Sequence, residues 1–143
     1  MVLVIGGAYQ GKKAFAKERF GLTDAEFADG AQLRSEETID KRNEASHPAE
    51  MPENAGCRLA IYDYHLRVKE QLRAGSQPEE ELKKMILAYP EVCIIANEVG
   101  SGLIPLERSE RDYREAVGRT LCTAAKEADE VWRVTCGIGQ RIK

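Results

Sequence analysis

Hydrophobic positions along the chain follow two periods, and the switches between them mark out the elements. Val2-Leu3-Val4-Ile5 is apolar at every position and stops at Gly6-Gly7, the pattern of a strand buried on both faces at the centre of a parallel sheet. From Gly11 to Phe20 the pattern turns helical, and Gly21 supplies the residue that commonly ends a helix. Thr23 and Glu26 have the capping-box spacing, which predicts a second short helix. Leu59-Ala60-Ile61-Tyr62-Asp63 reads as a buried strand running into a helix from His65 to Arg73, although Leu59, Tyr62 and Leu66 also fit one helix face.

Ser76, Pro78 and Glu79 predict a helix start with Ser76 as its cap, followed by a stripe of Leu82, Met85, Ile86 and Tyr89 that Pro90 closes. Val92-Cys93-Ile94-Ile95-Ala96 is a further buried strand. The longest helix is predicted from about Glu107 to Ala128, because Tyr113, Ala116, Val117, Thr120, Leu121, Ala124 and Ala128 recur at intervals of three and four. Val131 to Cys136 alternates as a final strand. Between Asp29 and Gly56 neither period appears, and the polar composition predicts a loop with at most one helical turn. No internal repeat is visible. Strands alternating with helices define an α/β fold, a mostly parallel sheet flanked by helices.

Composition narrows the class. A length of 143 residues with 43% hydrophobic positions suits one domain over 1–143 with a core that needs no disulfide or metal staple. The net charge of -3 provides no basic field of the kind that gathers nucleic acid. No segment approaches the roughly 18 to 20 apolar residues of a membrane span, and no basic leader precedes Val2, so a cytoplasmic protein is expected. The cysteines lack metal-binding spacing, and Cys93, Cys122 and Cys136 lie in apolar segments, which assigns them to the core. Only His47 and His65 could serve a histidine-dependent reaction. Neither has a visible activating partner, so both read as solvated or hydrogen-bonded surface histidines, and no residue is assigned to a metal.

The strongest chemical signal is Gly6-Gly7-Ala8-Tyr9-Gln10-Gly11-Lys12-Lys13, which fits G-x-x-x-x-G-K between a strand and a helix. In such a P-loop the glycines let backbone N–H groups turn around phosphates, the helix N-terminus adds partial positive charge, and Lys12 reaches the β- and γ-phosphates. The fold expectation sharpens to a P-loop NTPase-type domain binding GTP or ATP, with Mg2+ as the expected companion ion. Lys13 departs from the pattern. It stands where Ser or Thr offers a hydroxyl to Mg2+, so another oxygen orders the ion, or transfer is weakened, or Lys13 turns to solvent and water fills the gap. Asp63 and Glu98 follow strands at the end where parallel sheets hold ligands, and join Lys12 as catalytic candidates. They could order Mg2+ through water, accept a proton from an attacking hydroxyl, or hold a base or ribose.

Gly6-Gly7-Ala8 with Gly11-Lys12, then Asn97-Glu98-Val99-Gly100-x-Gly102-Leu103-Ile104-Pro105, Arg111-x-Tyr113-Arg114-x-x-x-Gly118-Arg119, Ala128-Asp129-Glu130-Val131-Trp132 and Gly137-Ile138-Gly139-x-x-Ile142-Lys143 together resemble the adenosylcobinamide kinase/adenosylcobinamide-phosphate guanylyltransferase family. The resemblance implies a cytoplasmic transferase of cobalamin (vitamin B12) biosynthesis. Such an enzyme phosphorylates a cobinamide hydroxyl, then transfers GMP to that phosphate through a guanylylated histidine. It also implies a homotrimer and places Asp63 at the family's strand-end acid. The family's H-R-x-x-R-P-like segment with that histidine has no counterpart between Gly30 and Gly56. Aligning on Pro48 puts Asn43 at the histidine position, with Glu44 and His47 in place of the arginines. Kinase chemistry is therefore expected above guanylyl transfer, and a non-catalytic nucleotide-binding paralogue is the alternative.

Overall fold

The structure is a computed structural model that describes residues 1–33, 57–100, 102 and 105–143. Six strands, β1 (Val2–Gly6), β2 (Phe27–Asp29), β3 (Leu59–Tyr62), β4 (Val92–Asn97), β5 (Glu130–Thr135) and β6 (Ile138–Arg141), form one sheet in the order β2-β3-β4-β1-β5-β6. Every pairing is parallel except β5 with β6. Among the described residues four α-helices accompany them: α1 (Lys12–Phe20), α2 (Tyr64–Arg73), α3 (Pro78–Ala88) and α4 (Arg108–Glu127). The expected α/β class is the observed one, a P-loop-type sheet flanked by helices.

The unbroken apolar runs of β1 and β4 serve two cores, because successive side chains leave a strand on opposite faces. Val2, Val4, Cys93 and Ile95 pack with Ala16 and Phe20 of α1. Leu3, Ile94 and Ala96 pack on the other face with Val68 of α2, Leu82 and Met85 of α3, and Ala116, Val117 and Ala124 of α4. Burying side chains of this size contributes roughly 1.5–3 kcal/mol each, so this sandwich fixes where the strand ends sit.

Several local expectations need correction. Thr23 and Glu26 do form a capping box, with the Thr23 backbone N–H and hydroxyl donating to Glu26 Oε2 at 2.5 and 2.8 Å. It closes only one 3-10 turn, Asp24–Glu26, after which Phe27 enters β2. Ser76 is not the cap of α3: its N–H donates to Gln71 O at 2.9 Å behind Gly75 at φ 74°, so it belongs to the end of α2, and Gln77 caps α3. Cys93 is buried, as is Cys57, but Cys122 and Cys136 are exposed. Cys122 lies on α4 beside rather than within the apolar stripe, and Cys136 occupies the β5–β6 turn at φ 51°. Among the described residues no helix is long and apolar enough to cross a membrane.

Candidate functional site

The chain leaves β1 at Gly6 and enters α1 at Lys12, so the loop between them lies at the carboxyl end of an interior strand. After α1 the chain crosses to the β2 edge, and after β4 it passes over β1 to β5. That reversal opens a crevice between β1 and β4. Two glycines make the loop possible. A Cβ on Gly6 would lie 2.3 Å from the Val134 carbonyl oxygen of β5, and Gly11 caps α1 in the left-handed region at φ 81°. Gln10 fastens the loop from outside. Its Oε1 accepts the Cys136 N–H at 2.6 Å and its carbonyl accepts the Gly137 N–H at 2.9 Å, tying the loop to the β5–β6 turn.

Lys12 is buried, with its ammonium donating to Gly7 O at 2.6 Å and to Asn97 Oδ1 at 2.5 Å. Burial pushes its pKa below the usual lysine value, and the negative charges of Asp63 and Glu98 oppose that shift. Asn97 ends β4 in register with Gly6, so the sheet itself sets this contact. Because Oδ1 faces the lysine, the Asn97 amide turns Nδ2 toward His65 Nε2, 2.9 Å away. Nε2 is then the acceptor and Nδ1 carries the proton on the side of Asp63, whose Oδ1 is 4.0 Å off. The Asn97 backbone nitrogen also lies 3.4 Å from Nδ1. This contact is at the long limit, and Nδ1 cannot accept it in the same tautomer, so the shorter bond decides the assignment.

A cavity of about 500 Å3 opens over this row, lined by loop residues 8–13 together with Tyr62, Asp63, His65 and Asn97. Asp63 sits at φ 51° between β3 and α2, a strained position for a non-glycine residue that turns the chain directly into the helix. Ala8, Tyr9, Gln10 and Gly11 line its loop end, with the Tyr9 side chain fully exposed. Glu98 stands apart from the lining. Its backbone N–H donates to Gly6 O at 3.0 Å, while its carboxylate pairs with Arg133 at 3.1 Å.

The structure thus gathers Lys12 and Asp63 into one cavity and sets Glu98 at its rim. Sequence reasoning missed Asn97 and His65. His65 is no surface residue: it is 6% exposed, in the first turn of α2, and reaches Asn97 across 32 positions of chain. Burial, the leading cause, and the Lys12 charge lower its pKa against the pull of Asp63, so the ring is neutral near pH 7. The signal was its place two residues beyond a strand-end acid, at the ligand end of a parallel sheet. His47 and the neighbouring Asn43 and Glu44 lie outside the described residues.

A P-loop ordinarily seats Mg2+ through a Ser or Thr hydroxyl next to its lysine, with a carboxylate behind. Here the adjacent side chain is an ammonium. Lys13 Nζ stands 4.5 Å from the Tyr62 ring centroid and 4.8 Å from that of Phe27, contacts worth about 0.5–1 kcal/mol each at exposed positions. Asp63 is the one carboxylate among the lining residues, and no group of three or more His, Cys, Asp or Glu among the described residues is placed to hold a metal. Among the described residues, the side chains at the cavity do not fit a protein-held Mg2+.

The fold defines the class, an α/β protein whose mostly parallel sheet, flanked by helices, is of the P-loop type. Residues 57–142 match the cobinamide kinase / cobinamide phosphate guanyltransferase family, and the chain belongs to that family. It is similar to the bifunctional adenosylcobalamin biosynthesis protein CobU of Salmonella typhimurium, 45% identical over 69 residues that make up 46% of this chain and 38% of that protein. It is also similar to the protein of the same name from Escherichia coli, 43% identical over 53 residues, 37% of this chain and 29% of the relative. The matched stretches therefore span well under half the length of either relative.

Proposed function

We propose that the protein is a nucleotide-dependent transferase of cobalamin biosynthesis that binds GTP or ATP at Gly6–Lys13 and phosphorylates a cobinamide-type small molecule. The observation that carries this reading is the buried Lys12 ammonium, held between the loop carbonyl of Gly7 and Asn97 at the floor of a cavity that also presents Asp63. Both of its acceptors are neutral oxygens, which an arriving phosphate oxyanion outcompetes because a charge-assisted bond is stronger. Lys12 then takes the outer phosphates while the Asp63 carboxylate accepts the proton of an attacking hydroxyl. Glu98, tied to Arg133, acts at the rim, where its charge supports the protonated state of Lys12.

Kinase chemistry is favoured over guanylyl transfer. The His65 ring is buried, and its accepting nitrogen is engaged by Asn97, so neither geometry nor free lone pair suits attack on phosphorus. The test supplies cobinamide with γ-labelled and, separately, α-labelled GTP or ATP. Label from the γ-position should appear on cobinamide, with no acid-labile GMP on the protein. A GMP adduct on His47 or His65 would reverse the order of the two chemistries, and absence of both products would end the enzyme reading. The second reading, a nucleotide-binding paralogue without turnover, draws on Lys13 in place of the hydroxyl. Binding without product would favour it.

A further inference from the structure

Lys13 carries a full positive charge at the helix position that otherwise offers a metal-binding hydroxyl, and it lines the same cavity as Lys12. Its ammonium is held over the faces of Tyr62 and Phe27, at 4.5 and 4.8 Å. Among the described residues Lys13 forms no close ion pair, its charge acting on Asp24 only from a distance, whereas the next lysine on the helix, Lys17, is paired with Asp24 at 2.7 Å. The two environments differ in kind. A carboxylate partner neutralises an ammonium, but ring faces only park it, leaving its charge available to a stronger anion.

Resting on the nucleotide reading above, the structure assigns Lys13 the role of a built-in counter-cation, standing in for Mg2+ so that a nucleoside triphosphate binds without a divalent ion. Two features support the substitution. An ammonium at this position repels a divalent cation approaching the same phosphates. Among the described residues the cavity also lacks the Ser or Thr hydroxyl that would seat the ion, and has Asp63 as its one carboxylate. The aromatic pair adds pre-organisation: it keeps a long, flexible side chain at the cavity mouth, so less rotamer freedom is lost when phosphate arrives. Lys12 and Lys13 together then bring two positive charges to the phosphates, against the three that one lysine and Mg2+ supply in other P-loops.

The experiment is a calorimetric titration of the full chain with GTP and with ATP, once in excess EDTA and once in excess MgCl2. Wild-type affinity should agree between the two buffers to within about twofold, because the counter-charge is covalently attached. Lys13→Ser should bind at least about tenfold more weakly in EDTA and recover in Mg2+, while Lys13→Arg should remain indifferent to the metal. Lys13 is exposed, so these variants are expected to fold; should Lys13→Ser fail to, the wild-type comparison and Lys13→Arg still decide. Wild-type affinity that collapses in EDTA overturns this inference and leaves the nucleotide site intact. No binding of either nucleotide in either buffer overturns the nucleotide site itself.

Discussion

Replacing His65 with Gln tests the row Lys12–Asn97–His65 through its pH dependence. A glutamine Oε1 can accept the Asn97 Nδ2–H that Nε2 now accepts, but it cannot take up a proton near neutrality. In the wild type the folded-state pKa of His65 is depressed, first by burial and then by Lys12. Between that depressed value and the ordinary 6.5, the unfolded chain therefore binds more protons than the folded one. Stability is fully present above about pH 6.5 and falls as pH drops through this window, with a slope limited to about 1.4 kcal/mol per pH unit for one proton. Asp24 and Asp129, whose pKa values are lowered from 3.8, lose their contributions only at more acid pH. Urea unfolding followed by Trp132 fluorescence at half-unit steps from pH 5 to 7 should give a falling wild-type curve and a flatter His65→Gln curve. Parallel curves would refute the reasoning. His65→Leu should cost about 1–2 kcal/mol at every pH in the same assay, because the Asn97 N–H loses its partner.

Other measurements probe the remaining features. Lys12→Ala should weaken GTP or ATP binding by roughly 10- to 100-fold in calorimetry, the loss of a charged hydrogen-bond donor. Gly6→Ala, whose new Cβ would fall 2.3 Å from the Val134 carbonyl oxygen, should lower stability by at least about 2 kcal/mol in thermal unfolding, since β1 and β5 must separate. A thiol reagent should modify the exposed Cys122 and Cys136 quickly and Cys57 and Cys93 only on unfolding; for Cys93 the hydrogen bond with the Cys57 thiol and then burial also push the pKa up.

The long apolar runs were legible because nothing but a doubly covered strand buries Val2 to Ile5 or Val92 to Ala96 on both faces. The short edges were not. Phe27–Asp29 is three residues long and emerges from a cap signal, and Ile138–Arg141 carries a glycine and exposed side chains, so neither has room for a period. Its register is written elsewhere: Gly139 packs against Phe15 of α1, where a Cβ would come within 2.1 Å of the ring. The phosphate loop announced itself as a contiguous motif, whereas Asn97 and His65 meet only through the parallel stacking of β3 and β4. Lys13 was visible as an anomaly, but its placement on Phe27 and Tyr62 needed β2, the strand whose brevity hid it.

The clasp that Gln10 forms with the Cys136–Gly137 turn has a consequence for timing. Because both of its bonds join two parts of the fold itself, the ordering of the loop is tied to the folding of the sheet, which would offer an incoming phosphate a surface already shaped. Coupling between sites is reciprocal, so a nucleotide resting against the loop should in turn quiet the hairpin. The slowed amide exchange would be read at Cys136 and Gly137, more than a hundred positions along the chain from the loop.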